Sequence, residues 1–175
     1  MDAFNFTTIA ENFEISRPKV AEIFNTLVQT EVLQRIYPYG SHLNQTARKP
    51  SKYLFSSPAF RAMYYKMVGS IISSENARGK LLEDMVGMYL YRIFYNTPMK
   101  SLTYDSAEKG ADFILGFGKQ KLVIEVGSGK KGYKQIIPTS RKAKPTYSLI
   151  ISEEALEYSE ELNAVKVPFK LFLLA

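Results

Sequence analysis

Two carboxylates stand where short apolar segments with strand-like composition begin and end. Asp112 lies near the start of ADFILGF, and Glu125 lies near the end of KLVIEV, with the turn-forming segment GFGKQ between them. A tight antiparallel hairpin brings the start of one strand beside the end of the next, so we expect both carboxylates at one edge of a sheet. Carboxylate oxygens suit Mg²⁺, which activates water and neutralises charge on a phosphodiester. The pair predicts a magnesium site formed by Asp112 and Glu125.

A third carboxylate belongs to the helical segment KLLEDMVGMYLYRIFYN. Its apolar residues recur at helical spacing, and Glu83 lies beside that apolar face. We expect the helix to bring Glu83 to the same edge of the sheet. His42 is the single histidine and lies in a polar loop, which excludes hydrolase triads built on histidine.

The segment after Glu125 permits a second interpretation. Gly127-Ser-Gly-Lys-Lys-Gly132 is a G-x-G-x-x-G pattern after a strand, and Glu153 follows at the spacing of a dinucleotide fingerprint. However, the preceding strand is the third of a meander, and Glu125 would place negative charge near a pyrophosphate. We therefore predict no nucleotide cofactor for this chain.

The first third of the chain has a helix-turn-helix pattern. TTIAENF has helical spacing, and a second helix begins after Ser16, a predicted N-cap, with Pro18 in its first turn. Two short strands, 34–37 and 52–55, follow with a basic turn-rich loop between them, which is the outline of a winged helix. We predict a partial winged helix over residues 1–68. Its expected nucleic-acid contacts are Arg17 and Lys19 on the second helix and Arg48, Lys49 and Lys52 on the wing.

The rest of the chain predicts a second domain over residues 69–175. A helix opening at Gly79 is followed by the strands SLTYDS, ADFILGF and KLVIEV, where the hydrophobic period changes from 3.6 to 2. A short helix over 130–137 ended by Pro138, the strand TYSLIIS, an acidic helix over 153–161 and a last strand complete the order. The predicted fold class is α/β (α+β), with a mixed sheet flanked by helices.

Charge and composition indicate the partners. The net charge is +6, and basic residues cluster in 17–61 and in 119–144, which fits a polyanion such as DNA. From the second block we predict nucleic-acid contacts by Lys131 and Lys134. The chain has no cysteine, no apolar run of the roughly 18 residues that a membrane span needs, and no signal peptide at its N-terminus. These features predict a cytoplasmic protein without membrane contact.

Several motifs resemble known families. Asp112 followed by Glu125 resembles the PD-(D/E)xK motif of restriction-endonuclease-like nucleases, and Gly79-Lys-Leu-Leu-Glu83 resembles their helical glutamate. The segments ISRPKV, KPSKYLFSSPAF, GKLLEDMVGMYL, GADFIL and IEVGSGKKG are similar in order and spacing to the uncharacterised C-terminal domain of archaeal and bacterial AAA-type ATPases. The resemblance covers residues 6–173. It implies a winged helix fused to a nuclease-like domain, with DNA and an N-terminal ATPase portion as partners.

The chain departs from that motif at one position. The lysine that orients water and stabilises the developing charge should stand at position 127, which is Gly127. Lys130 or Lys131 is the expected substitute, and the catalytic residues that the resemblance implies are Glu83, Asp112, Glu125 and Lys130. We therefore predict a DNA-binding, nuclease-like module with a degenerate site. The alternatives are an active Mg²⁺-dependent nuclease and a protein-interaction domain of the ATPase.

Overall fold

The computed structural model of the chain describes residues 2–3, 5–40, 50–67, 69, 74–94, 97, 100–129 and 131–174. The α-helices within these ranges are α1 (Phe6–Asn12), α2 (Arg17–Gln29), α3 (Pro58–Met67), α4 (Glu75–Phe94), α5 (Ile137–Ala143) and α6 (Phe169–Phe172). The strands are β1 (Asp2–Ala3), β2 (Leu33–Pro38), β3 (Lys52–Phe55), β4 (Lys100–Tyr104), β5 (Phe113–Phe117), β6 (Gln120–Val126), β7 (Tyr147–Ser152), β8 (Glu157–Ser159) and β9 (Ala164–Pro168). No helix among the described residues is both long and apolar enough to cross a membrane.

The predicted helix-turn-helix and hairpin are confirmed. Asn5 caps α1, and the Ser16 hydroxyl accepts a hydrogen bond from the Lys19 N–H at the start of α2, where Pro18 lies in the first turn. Strand β2 then pairs antiparallel with β3. The rings of Phe6, Phe24 and Tyr53 pack together where the two helices meet the hairpin. This contact fixes the orientation of α1 and α2 on the sheet.

The described strands form one mixed sheet in the order β1-β3-β2-β4-β5-β6-β7-β9-β8. The predicted three-strand meander is confirmed, because β4, β5 and β6 pair antiparallel in sequence order. Beyond it, β7 runs parallel to β6 and β9 runs parallel to β7. Helix α5 makes the crossover between β6 and β7, as a parallel connection requires. The predicted α+β fold with a mixed sheet flanked by helices is therefore confirmed.

The sheet crosses the predicted boundary between residues 68 and 69. Strand β2 of the hairpin pairs parallel with β4, through Tyr37 opposite Thr103 and Pro38 opposite Tyr104. The Tyr39 N–H extends this pairing with a hydrogen bond of 2.8 Å to the Tyr104 carbonyl. Backbone hydrogen bonds thus join the helix-turn-helix and hairpin to the meander, and the division into two folding units stays a prediction.

Apolar side chains cover both faces of the sheet. On one face, Val86 and Leu90 of α4 pack against residues of β3, β5 and β6. Helix α4 lies so close to the sheet that a Cβ at Gly87 would meet the Leu54 side chain at 2.3 Å, which explains the glycine. On the other face, Ile136 and Ala143 pack against β5, β6 and β7. The meander is therefore a rigid support for groups at the ends of its strands.

Two predicted helix bounds are wrong. Helix α4 begins at Glu75 rather than Gly79, because the Ser74 hydroxyl accepts a hydrogen bond from the Ala77 N–H and caps the helix earlier. The predicted helix over 130–137 is replaced by a 3-10 helix at Tyr133–Gln135. Pro138 lies in the first turn of α5, where its missing N–H costs nothing, so it begins a helix rather than ending one.

The predicted acidic helix over 153–161 is also wrong. The segment contains β8, which pairs antiparallel with β9 and places Glu157 opposite Lys166. The Lys166 ammonium lies 3.2 Å from the Glu157 carboxylate and 3.4 Å from that of Glu154. Opposite charges across a strand pair stabilise the strand, whereas a helix would leave five acidic side chains within nine residues close to one another.

A buried ion pair joins α3, α4 and β3. Arg61 contacts both carboxylate oxygens of Asp84, and the Phe55 N–H also donates to that carboxylate. Asp84 is fully buried and Arg61 is 7% exposed. Replacing Arg61 by methionine is expected to lower the free energy of unfolding by about 3–5 kcal/mol, because it leaves an unpaired charge in the interior.

Urea denaturation of Arg61→Met measures this change. The double variant Arg61→Met with Asp84→Asn should recover part of the loss, since it removes both charges. Arg92→Met, at an exposed position in the last turn of α4, is the control. If Arg61→Met lowers the free energy of unfolding by less than about 1 kcal/mol, it behaves as an ordinary surface substitution. That result would contradict the buried ion pair between Arg61 and Asp84.

Candidate carboxylate and lysine site

Asp112 and Glu125 lie close together at one end of the adjacent strands β5 and β6, as their positions in the sequence predict. Asp112 directly precedes β5, and its Oδ2 accepts a hydrogen bond of 2.9 Å from the N–H of Val126, the last residue of β6. Glu125 is the neighbour of Val126 on the same strand. The two residues are 9% and 7% exposed, so both carboxylates are held almost out of solvent. The antiparallel pairing of β5 and β6 produces this arrangement.

Lys131 supplies the cation at these carboxylates. Its Nζ lies 2.9 Å from Oε1 of Glu125, and both side chains are largely buried. The lysine side chain passes over Gly127, where a Cβ would lie 1.9 Å from the Lys131 Cε. The absence of a side chain at position 127 therefore leaves room for a lysine four residues later to reach the same carboxylate. Lys130, the predicted catalytic lysine, lies outside the described residues.

A cleft of about 480 Å³ opens beside Lys131, between the first turns of α4 and the segment after β6. Glu83 and Lys131 both line it, together with Glu75, Asn76, Gly79, Lys80, Val126, Gly127 and Ser128. The Lys80 ammonium lies 3.8 Å from the Glu83 carboxylate. The helical glutamate predicted to approach the strand carboxylates therefore borders the same cleft as the lysine.

The carboxylates influence one another's protonation. Burial, together with the negative charges of Glu83 and Glu125, raises the pKa of Asp112 to about 8. Burial also raises the pKa of Glu125, although the Lys131 ammonium opposes this effect. Near neutral pH, Asp112 therefore retains its proton. Such strongly shifted groups in a cleft are typical of functional sites.

Three hydrogen bonds to other elements hold the segment that carries Lys131. The Ser128 hydroxyl donates a 2.9 Å hydrogen bond to the Glu75 carbonyl of α4, and the Gly127 N–H donates to the Ile151 carbonyl of β7. The Lys131 N–H donates a 3.1 Å hydrogen bond to Oε2 of Glu154. These contacts hold the lysine over Gly127 and toward Glu125.

Sequence patterns do not identify Ser128 and Glu154 as supports of this site. The sequence predicts Glu154 in an acidic helix, whereas it lies two residues after the end of β7 and 3.4 Å from the Lys166 ammonium. Its position just beyond the end of a buried strand, beside the end of β6, is the signal that would have identified it. Ser128 follows the end of β6 in the same way.

The carboxylates that contact the lining residues Val126 and Lys131 fit a divalent ion, with one restriction. Asp112 and Glu125 supply hard oxygen ligands, and the negative charges of Glu83 and Glu125 act on Asp112 in addition to its burial. Among the described residues, no group of three or more His, Cys, Asp or Glu side chains is arranged as a complete metal site. This arrangement suits Mg²⁺, which binds through one or two carboxylates and keeps several waters.

The predicted nucleic-acid contacts are distributed over the molecule. Arg17 and Lys19 are exposed in the first turn of α2, with the Lys19 ammonium 3.0 Å from Glu22. Lys52 is half-buried on β3, with its ammonium 4.7 Å from the centre of the Tyr104 ring. Lys134 is exposed in the 3-10 helix, whereas Lys131 turns inward to Glu125. Arg48 and Lys49 lie outside the described residues.

The glycine pattern after β6 has a structural explanation. Gly127 makes room for Lys131, and Gly129 has a φ of +82°, which favours glycine. The described part of the segment continues into a three-residue 3-10 helix, whereas a dinucleotide loop continues into a longer helix whose N-terminus holds the pyrophosphate.

This chain is similar to a protein of Methanocaldococcus jannaschii described as uncharacterized protein MJ1637. The two are 35% identical over 175 residues, which are 99% of this chain and 36% of that protein. The chain thus spans about a third of the length of the relative it matches. No protein-family model matches the chain, and no solved structure matches it. The name of the relative states no activity, so the geometry of the cleft is the basis for a functional proposal.

Proposed function

We propose that this chain is a nucleic-acid-binding module whose cleft hydrolyses phosphodiester bonds with the help of a divalent metal ion. One observation carries the proposal: the Lys131 ammonium lies 2.9 Å from Glu125, although the motif position for that lysine is a glycine. The chemical groups of a PD-(D/E)xK site, two strand carboxylates and a lysine, are therefore present together. The prediction of a degenerate site depends on Gly127, which leaves the motif position without a lysine.

The residues of the cleft have separate roles in this mechanism. Asp112 and Glu125 would hold the ion, and Glu83 adds negative charge from α4. The ion would supply Lewis-acid activation of a water molecule and neutralise charge on the phosphate. Lys131 faces the same space, so its ammonium can orient the attacking water and stabilise the negative charge that develops on the phosphate oxygens.

Cleavage assays test the proposal directly. Labelled single-stranded and duplex DNA and RNA are incubated with Mg²⁺, Mn²⁺ or EDTA. We expect cleavage that requires metal, is lost in Glu125→Gln and is retained in Glu161→Gln, an exposed matched control. Activity that survives Glu125→Gln would come from another protein and would contradict the proposal, as would intact substrate under every metal condition.

A second candidate is a DNA-binding module that does not cut. The observation favouring it is that Glu125 and Lys131 neutralise each other, and that Arg17 and Lys19 are exposed at the start of α2. Phosphate contacts dominate such binding, so a mobility shift should appear at low ionic strength and weaken as salt rises. A shift without cleavage supports this candidate, and the absence of a shift removes both.

An ATPase portion remains the proposed protein partner. This part of the proposal rests on the resemblance of the motif order to C-terminal domains of AAA-type ATPases. It agrees with the greater length of the relative from Methanocaldococcus jannaschii, of which the match covers 36%. If co-expression with such a portion yields no complex, this partner is wrong, while the assignment of the cleft is unaffected.

A further inference from the structure

A second cleft lies on the hairpin side of the meander and contains three lysines. It has a volume of about 430 Å³ and lies between β3, the loop after β4 and α5. Lys52, Lys109 and Lys142 line it, each from a different one of these three segments. We call it the lysine cleft. Three cations from separate segments converge there on one concave surface.

The base of the lysine cleft is rigid. Asp105, which is 3% exposed, accepts hydrogen bonds of 2.6 Å from Lys142 and 2.7 Å from Thr139. A Cβ at Gly110 would lie 2.6 Å from the Asp105 carbonyl oxygen, so glycine allows the loop to close on Asp105. The acidic side chain is therefore already satisfied by the protein. Lys52 and Lys109 remain as positive charge that Asp105 does not offset.

The lysine cleft adjoins the carboxylate site. Gly110 lines it, and Asp112 follows two residues later, after Ala111, whose N–H donates to the Thr139 hydroxyl. The Lys52 ammonium is also close enough to act against the upward pKa shifts of Asp112 and Glu125. A cationic recess thus lies close to the two carboxylates, with Lys52 acting on both.

We propose that the lysine cleft binds a backbone phosphate of a nucleic-acid strand, next to the phosphodiester held at Asp112 and Glu125. A polyanion that approaches a carboxylate centre meets repulsion, which neighbouring ammonium groups offset. Each phosphate neutralised by a lysine also releases condensed counterions. The substrate class is a polynucleotide strand with at least two consecutive phosphates. This inference rests on the proposed function, since it places a neighbouring phosphate at the carboxylate site.

Lys109→Gln tests the inference, because Lys109 is exposed and its replacement leaves the hydrogen bonds of Asp105 in place. Binding of a fluorescein-labelled oligonucleotide is measured in EDTA over a series of salt concentrations. The slope of log K against log salt should become shallower by about 0.7–0.9, the contribution of one phosphate contact. Lys66→Gln, an exposed lysine on α3, should keep the wild-type slope.

Hydrolysis of bis(4-nitrophenyl) phosphate separates this inference from the proposed function. That substrate has a single phosphate, so Lys109→Gln should hydrolyse it at the wild-type rate. An unchanged salt slope in Lys109→Gln overturns the role of the lysine cleft, even where metal-dependent cleavage is observed. Conversely, a reduced slope together with no hydrolysis of either substrate supports the cleft and removes the catalytic proposal.

Discussion

Lys131→Met is expected to reduce the metal-dependent cleavage rate by about 10²–10³-fold, the usual effect of removing one group that stabilises developing charge. Methionine keeps an aliphatic chain over Gly127, so packing changes little. What is lost is the ammonium that lies 2.9 Å from Glu125. Without it, burial raises the pKa of Glu125 unopposed by this cation, and the carboxylate becomes a poorer metal ligand at neutral pH.

Steady-state cleavage at saturating metal measures this loss, with two lysine variants for comparison. Lys134→Met removes an exposed neighbouring charge and should retain most of the activity. Lys130→Met tests the lysine that sequence reasoning preferred. A loss in Lys130→Met as large as that in Lys131→Met would contradict the assignment of the catalytic cation to Lys131.

Position 127 provides a complementary test of the same assignment. A Cβ there would occupy the space of the Lys131 side chain, 1.9 Å from its Cε. Gly127→Ala should therefore displace the lysine from Glu125 and lower activity without altering the strand. The double variant Gly127→Lys with Lys131→Ala places a lysine at the motif position. It should recover part of the rate that Lys131→Ala loses.

Asp112→Asn is expected to stabilise the metal-free protein at alkaline pH while abolishing cleavage. The pKa of Asp112 is about 8 in the folded chain, against about 3.9 for an unperturbed aspartate. Between about pH 4 and pH 8 the unfolded chain loses this proton while the folded chain keeps it, so the wild-type protein becomes less stable as pH rises. Asparagine can still accept the Val126 hydrogen bond and does not titrate.

Urea denaturation in EDTA across this pH range measures the effect. Asp112→Asn should leave the free energy of unfolding almost unchanged below about pH 4. Above pH 8 it should raise that free energy by more than about 2 kcal/mol, since one pKa unit corresponds to about 1.4 kcal/mol. A gain that does not change with pH would mean that Asp112 is ionised throughout, contrary to its buried environment.

Asp105→Asn provides a contrast of opposite sign. Burial acts to raise the pKa of Asp105, but hydrogen bonds from Lys142 and Thr139 outweigh it and lower the pKa. Its contribution to stability is therefore present above about pH 4 and is lost as pH falls through the lowered value. Asp105→Asn should thus be destabilising at neutral pH, with the penalty shrinking in acid.

Local patterns predicted most of the fold. The Ser16 cap, the hairpin strands and the meander follow from capping chemistry and period-2 alternation, and each is found in the structure. The strand β8 was missed because a run of glutamates suggested a solvated helix. The interaction that decides its conformation is the ion pair with Lys166 on the neighbouring strand. Short-range periodicity does not reveal such a pairing.

The candidate site was predicted only in part, because local patterns place its carboxylates but not its lysine. Asp112 and Glu125 were placed correctly because hairpin geometry relates the start of one strand to the end of the next. The choice between Lys130 and Lys131 depends on how an irregular segment folds back over Gly127. That path is set by distant partners, including Glu154 and the first turn of α4, which sequence spacing does not reveal.

The parallel pairing of β2 with β4 has a consequence for how a duplex would be handled. Because backbone hydrogen bonds connect the hairpin to the meander, the first turn of α2 and the carboxylate centre keep a constant separation. A double helix bound by Arg17 and Lys19 would then be cut at a fixed number of base pairs from the groove that these residues contact. The sheet would thus set the distance along the duplex between the bound groove and the cleaved bond.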